Sequence, residues 1–178
     1  LIFYGYYIYK NKGSIKIENN NTTVLESNNQ IEEGITKFID VEYKTSNEEN
    51  RDFITRGKEA YINKKQPNII QLNFVNSFTT LKDGTELNIR SNKAIYEKTK
   101  KNIKYYQNVI ITNKDAIITA EIANFFSDKN LIRLEKNIIF KDTKNKVKGD
   151  IAELNTVTNN LNIFMNNKKD RVYGRRQD

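Results

Sequence analysis

The chain has 178 residues, enough for one domain with a core of its own, and ten tyrosines and nine phenylalanines against one proline exclude a collagen-like or charge-rich disordered polymer. It has no cysteine and no histidine, which excludes a disulfide framework, thiolate or histidine metal sites and the Ser-His-Asp triad. The net charge of +8 favours an anionic partner such as nucleic acid, phospholipid headgroups or a phosphorylated glycolipid, while the abundance of Lys, Asn and Ile throughout makes compositional bias a second explanation.

Residues 1–9, Leu1 to Tyr9, carry no charge and are followed by Lys10 and Lys12. A bilayer span needs about 20 apolar residues, so this stretch is too short to cross one alone. Clustered tyrosines before lysine suit the interfacial end of an anchor helix, the reading preferred here over an aromatic first strand. Residues 10–34 are polar, with Asn19-Asn20-Asn21 and Ser27-Asn28-Asn29, and read as a tether.

From Ile35 the pattern alternates. Ile35, Phe38, Val41 and Tyr43 form a first strand, the polar run Thr45 to Asp52 a loop, and Phe53 and Ile54 open the next strand. Ile69 to Phe74 alternates after Leu72, and Asp83-Gly84 between Phe78-x-x-Leu81 and Leu87-x-Ile89 is a hairpin signal. Further turns are predicted at 99–102, 113–115, 127–130, 143–145 and 158–160. No stretch holds helical periodicity beyond two turns, so the chain is predicted to be all-β.

One short motif recurs: Ile89-x-Ser91-x-x-Ala94-x-Tyr96, Ile118-x-Ala120-x-x-Ala123-x-Phe125 and Val147-x-Gly149-x-x-Ala152-x-Leu154. Its alanines at 94, 123 and 152 stand 29 residues apart, and Thr55-x-Gly57-x-x-Ala60-x-Ile62 is a fainter earlier copy. Such a period signals one supersecondary unit stacked on its own copies. After each alanine come paired apolar positions with a polar residue between them (Ile103 and Tyr105 around Lys104, Ile132 and Leu134 around Arg133, Leu161 and Ile163 around Asn162). The side-chain period of a strand puts each pair on one face and the polar residue in water.

A further strand is predicted at Val109–Ile111 and Ile138–Phe140, preceded by Asn108 and Asn137, where three apolar residues run together and alternation no longer separates inside from outside. The small residue and the alanine of the motif are three apart, so both face the core only if the strand bends or bulges between them. Gly57, Ser91, Ala120 and Gly149 suit such a corner. The expected fold is an elongated β-jellyroll or flattened solenoid over 35–167, each unit giving a pair of strands to each of two facing sheets. Residues 168–178 form a basic C-terminal edge or tail. The interior has two readings at this point, an ordinary core or a groove for acyl chains.

Catalytic chemistry is thin. The glycines are isolated, so no phosphate loop is present, and Glu32-Glu33 and Glu48-Glu49 fall in polar segments where solvated charge explains them. The expectation is a non-enzyme with no cofactor and no metal. Nucleic acid is not expected as a partner, because the aromatics fall on the apolar face, away from the lysines.

The segment Thr36 to Lys44, the Lys82-Asp83-Gly84 turn, the repeated Ala-x-aromatic motif, the Asn-Val-Ile and Asn-Ile-Ile strands and the apolar N-terminus together resemble the LptC family, within the LptA/LptC/OstA-like group. The likeness covers about residues 35 to 165 and the anchor. It implies a twisted β-jellyroll, a periplasmic domain on a single-pass inner-membrane anchor, and a hydrophobic groove that carries lipopolysaccharide by its lipid A acyl chains. It also implies two partners: an inner-membrane ABC transporter that extracts lipopolysaccharide, and LptA joined by edge-strand addition. From strand parity, the groove-lining candidates are Ile62, Leu72, Phe74, Ala94, Tyr96, Ile103, Tyr105, Ile118, Ala123, Phe125, Ile132, Leu134, Ile138, Phe140, Leu154, Leu161 and Ile163. The alternative is a structural β-solenoid, an adhesin or assembly module with a solid core and no lipid ligand.

Overall fold

The computed structural model describes residues 34–46, 52–167 and 170–176. The expected anchor at 1–9 and all of the tether but Gly34 lie outside the described residues. Among the described residues ten strands follow one another: β1 (Ile35–Ser46), β2 (Asp52–Asn63), β3 (Ile69–Thr80), β4 (Glu86–Glu97), β5 (Asn102–Asn113), β6 (Ala116–Phe126), β7 (Leu131–Lys141), β8 (Asn145–Asn155), β9 (Leu161–Phe164) and β10 (Tyr173–Arg176). A 3-10 turn at Ser127–Lys129 separates β6 from β7. Among the described residues no helix is long and apolar enough to cross a membrane.

All strands belong to one antiparallel sheet that runs from β1 to β8 in chain order, with β10 on one half of β8 and β9 on the other. Tight turns make this order. Between β3 and β4, Gly84 takes φ +80 and donates its N–H to Leu81 O at 2.9 Å. Asp83 Oδ1 accepts from Thr85 Oγ1 and Thr85 N, and these bonds, with Lys114 beyond them, hold its carboxyl down to about 2. The αL residue Asn130 ends the 3-10 turn, and Asp142 accepts from the backbone N–H groups of Lys144 and Asn145 to close the β7–β8 connection.

The long strands do not stop at the predicted corner; they pass through it. Val109–Ile111 and Ile138–Phe140, expected as separate strands, are the second halves of β5 and β7. The two facing layers are therefore two halves of one folded sheet. The fold line is built differently on alternate strands. From β4 to β8 the register slips at each pairing beside the small residue of the motif, and the extra residue of every slip lies on β5 or β7, so β4, β6 and β8 bend without a bulge. On the intervening strands residues in the left-handed region make the bend: Phe74 on β3, Gln107 and Asn108 on β5, Lys136 and Asn137 on β7. Asparagine tolerates that region, and the structure holds the others there at a local cost.

Contacts across the fold show how the layers meet. Phe53 of β2 stacks on Phe125 of β6 with ring centroids 4.1 Å apart, Tyr43 of β1 meets Tyr96 of β4 at 5.4 Å, and the Tyr105 hydroxyl of β5 donates to Ser77 Oγ of β3 at 2.7 Å. In these contacts a strand faces one two to four places further along the chain, as the twist of a folded sheet requires.

Phe74 overturns its predicted orientation. Parity from Leu72 places it inside, but its φ of +52 shifts the alternation, so Ile70 and Leu72 point in, then Val75, Ser77 and Thr79. Phe74 is 63% exposed, with Lys58 Nζ 5.8 Å from its ring centroid. The first triple apolar run is not covered on both faces either: Ile110 is exposed on the outside, while Ile139, in the middle of the second run, is half-buried. The C-terminal basic stretch contributes an edge strand, β10.

Candidate functional site

The inward face is organised as rows of cross-strand partners, and the rows explain the repeat. One row runs Phe38, Ala60, Leu72, Ala94, Tyr105, Ala123, Leu134, Ala152 and Ile163, from β1 to β9. Alanine stands on every even strand and a large side chain on every odd one. Each alanine of the motif leaves room for the bulky residues on both sides, so the layers fill the space without overpacking.

Across the fold line a second set repeats the rule. Val41, Gly57, Val75 and Ser91 are partners in register, as are Val109 with Ala120 and Ile138 with Gly149. Small residues again face β-branched ones, and both small positions of the motif serve the same purpose on opposite layers. Gly149 is the tightest: a Cβ there would lie 2.5 Å from Ile163 Cγ2 and 3.2 Å from Phe164 O.

Among the described residues the inward hydroxyls are few and all bonded. Thr55 Oγ1 and Ser77 Oγ are 2.8 Å apart, and Tyr105 completes this buried cluster. Burial is the main cause that raises the Tyr105 hydroxyl well above its ordinary range, against the opposing effect of its bonds to Ser77 and Thr55, so it stays protonated. Thr79 donates to Asp52 O, Thr156 to Asn130 O, and Ser91 to Lys93 O, the last within the bend of β4. Buried hydroxyls bonded in this way offer nothing to a polar ligand, so the interior is apolar in effect.

The predicted lining residues come together with the one exception already given. Leu72, Ala94, Ile103, Tyr105, Ile118, Ala123, Phe125, Ile132, Leu134, Ile138 and Leu154 are buried, while Ile62, Tyr96, Phe140, Leu161 and Ile163 are partly buried against them. Parity reasoning left out Ala60, Ile70, Ile89, Val109, Ile111 and Ala152, all buried, although Ile89 and Ala152 stand in the motif itself. Apart from Ala120 on β6, the partly buried residues gather at the ends of the rows: Val41, Tyr43, Ile62 and Tyr96 toward β1, Phe140, Leu161 and Ile163 toward β9. The apolar interior is closed in its middle and reaches solvent at both ends.

The outward face carries charge, much of it paired. Lys37 reaches Glu59 at 2.7 Å, Arg56 reaches Glu42 at 2.8 Å, Lys44 reaches Asp52 at 2.7 Å, and Arg133 bridges Glu135 and Glu153. Glu59 accepts from Lys37, Asn73 and Tyr61, which lower its carboxyl to about 2. The outer edge of β1 has no strand neighbour among the described residues, while β9 and β10 cover β8.

No family model matches the chain, and no curated protein matches its sequence. Among solved structures, the chain is similar to the crystal structure of LptH, the LptA-homologous periplasmic component of the conserved lipopolysaccharide transport device of Pseudomonas aeruginosa. The two share 12% identity over 71% of this chain and 95% of that one, with a TM-score of 0.54. At that identity the likeness is one of fold, and the fold of this chain is the open, antiparallel β-jellyroll of the LptA type.

Proposed function

We propose that this chain is a lipopolysaccharide carrier, which holds lipid A acyl chains between the two halves of its folded sheet and passes them along it. One observation supports this reading above the others: an apolar lining, free of unsatisfied hydroxyls, runs from β1 to β9 and reaches solvent at both ends, on a fold shared with a lipopolysaccharide-transport component. In this reading acyl chains enter at the partly exposed ends and part the layers along the fold line. The finer assignment follows the sequence: an LptC-type domain in the periplasm, tethered by its N-terminus, supplied by an ABC transporter and passing its cargo to LptA through an open sheet edge. The chain itself performs no catalysis in this scheme, and the energy comes from the partner ATPase.

A second reading has its own support. The Phe53–Phe125 stack and the Tyr105–Ser77 hydrogen bond close the middle of the interior, as a purely structural module with a solid core would have it. Binding separates the two. Purified chain mixed with lipopolysaccharide is expected to co-elute with it on size exclusion, and the deacylated saccharide is expected not to compete. Competition by the deacylated saccharide would place recognition outside the apolar interior, and no co-elution at all would favour the solid core.

A further inference from the structure

The charges of the outward face are distributed unevenly, and the uneven part has no structural explanation. Toward β1 three outward cations, Lys37, Lys44 and Arg56, are matched by carboxylates. At the other end, on the outside of the layer formed by the second half of β7, the first half of β8 and β10, Lys141 stands opposite Lys146, and Lys146 opposite Arg175. Among the described residues these three carry no ion pair. Asp142, adjacent in sequence, is spent on the turn, where its carboxylate accepts from Lys144 N, Asn145 N and Asn145 Nδ2. Like charges directly opposite on neighbouring strands destabilise a sheet, so this row lowers the stability of the fold that carries it.

What surrounds the row identifies what it fits. Ile117, exposed, is the cross-strand partner of Lys141 on the same outward face. In the next row Ile139 faces Lys148, and Lys148 faces Tyr173, which is 64% exposed. Cations interleaved with aliphatic side chains and a tyrosine on one sheet face match the chemistry of a bilayer surface, with phosphate outside and acyl chains just below. A single-stranded nucleic acid needs several exposed aromatics among the cations for base stacking, and among the described residues this face offers Tyr173 alone.

We infer that the outward face of β7, β8 and β10 docks on an anionic membrane surface, with Lys141, Lys146 and Arg175 on the lipid phosphates and Ile117 and Tyr173 at the headgroup boundary. This contact is separate from the interior and does not rest on the carrier reading. The whole chain is tested by co-sedimentation with vesicles of equimolar phosphatidylglycerol and phosphatidylcholine, and with vesicles of phosphatidylcholine alone. The N-terminal segment is common to every protein compared and cancels in the ratios.

The triple variant Lys141→Gln, Lys146→Gln, Arg175→Gln is expected to weaken partition to the anionic vesicles by about fivefold per charge, on the order of a hundredfold in all. A control with the same loss of charge, Lys37→Gln, Lys44→Gln, Arg56→Gln, is expected to bind within about twofold of the parent, since those cations are already paired. The triple variant is also expected to melt at or above the parent temperature, because like-charge neighbours have been removed. Equal losses in variant and control, equal binding to neutral vesicles, a lower melting temperature in the triple variant, or displacement from anionic vesicles by a single-stranded oligonucleotide would each overturn the inference.

Discussion

Leu134→Ala is expected to cost about 4 kcal/mol of stability, near the top of the range for a buried leucine truncated to alanine. The reason lies in its neighbours. Leu134 is fully buried, and its cross-strand partners on the inward face are Ala123 and Ala152, so the variant would line up three alanines. Neither alanine has a side chain that can move into the space, and a cavity that does not collapse adds its full cost to the lost transfer energy. Ile117→Ala, on the outward face, is the comparison, and its expected cost is under about 1 kcal/mol. Urea denaturation of both variants measures this; a Leu134→Ala cost below about 1.5 kcal/mol would show that the layers close over the gap, against the rigid small-large alternation described above.

Gly149→Ala is expected to cost about 2 kcal/mol and to loosen β9. The new methyl would meet Ile163 Cγ2, which is fixed close to its backbone by β-branching, and the carbonyl oxygen of Phe164, so the strand itself must move. Gly57 holds the equivalent place in the first copy of the motif, yet there the nearest atom is Leu72 Cδ2 at 3.3 Å, the end of a flexible side chain. Gly57→Ala is accordingly expected to cost under about 1 kcal/mol, and Ser91 and Ala120 already occupy that corner in the middle copies. Hydrogen exchange of the β9 amides reads the difference: faster exchange at Ile163 in Gly149→Ala, no change in Gly57→Ala. Unchanged β9 protection in both would contradict the close contact of β9 with the corner.

The repeat made much of this fold legible before any coordinates. Spacing placed the alanines, and the three-residue step between them and the preceding small residue already demanded a bend. The all-β character and the burial of residues such as Ile103, Tyr105, Ile132 and Leu134 followed from alternation, and the Asp83-Gly84 dipeptide marked the turn between β3 and β4. What alternation could not show is where it shifts. Phe74 was misplaced because one left-handed residue inverts the parity of the rest of β3, and a phenylalanine gives no sign of that conformation. Asn108 and Asn137 did carry a sign, standing just before the apolar runs, yet they mark bends within strands and not gaps between them.

Inward hydroxyls were missed for another reason. Thr55, Ser77 and Thr79 are buried because they bond one another, Tyr105 or a backbone carbonyl, and hydrophobicity alone assigns them to solvent. The basic C-terminal run read as a tail or an edge; its pairing with β8 makes it an edge and sets Arg175 beside Lys146. Function was the least legible, since the side chains that fill a core are the same ones that line a path for acyl chains.

That ambiguity yields to positional photo-crosslinking in cells. With the crosslinking residue placed in turn at Phe125 and Leu134 on the inward face and at Lys104 and Arg133 on the outward face, lipopolysaccharide is expected to be captured from Phe125 and Leu134 and not from Lys104 or Arg133. Equal capture from both faces, or capture from the outward face alone, would contradict a lipid path between the layers.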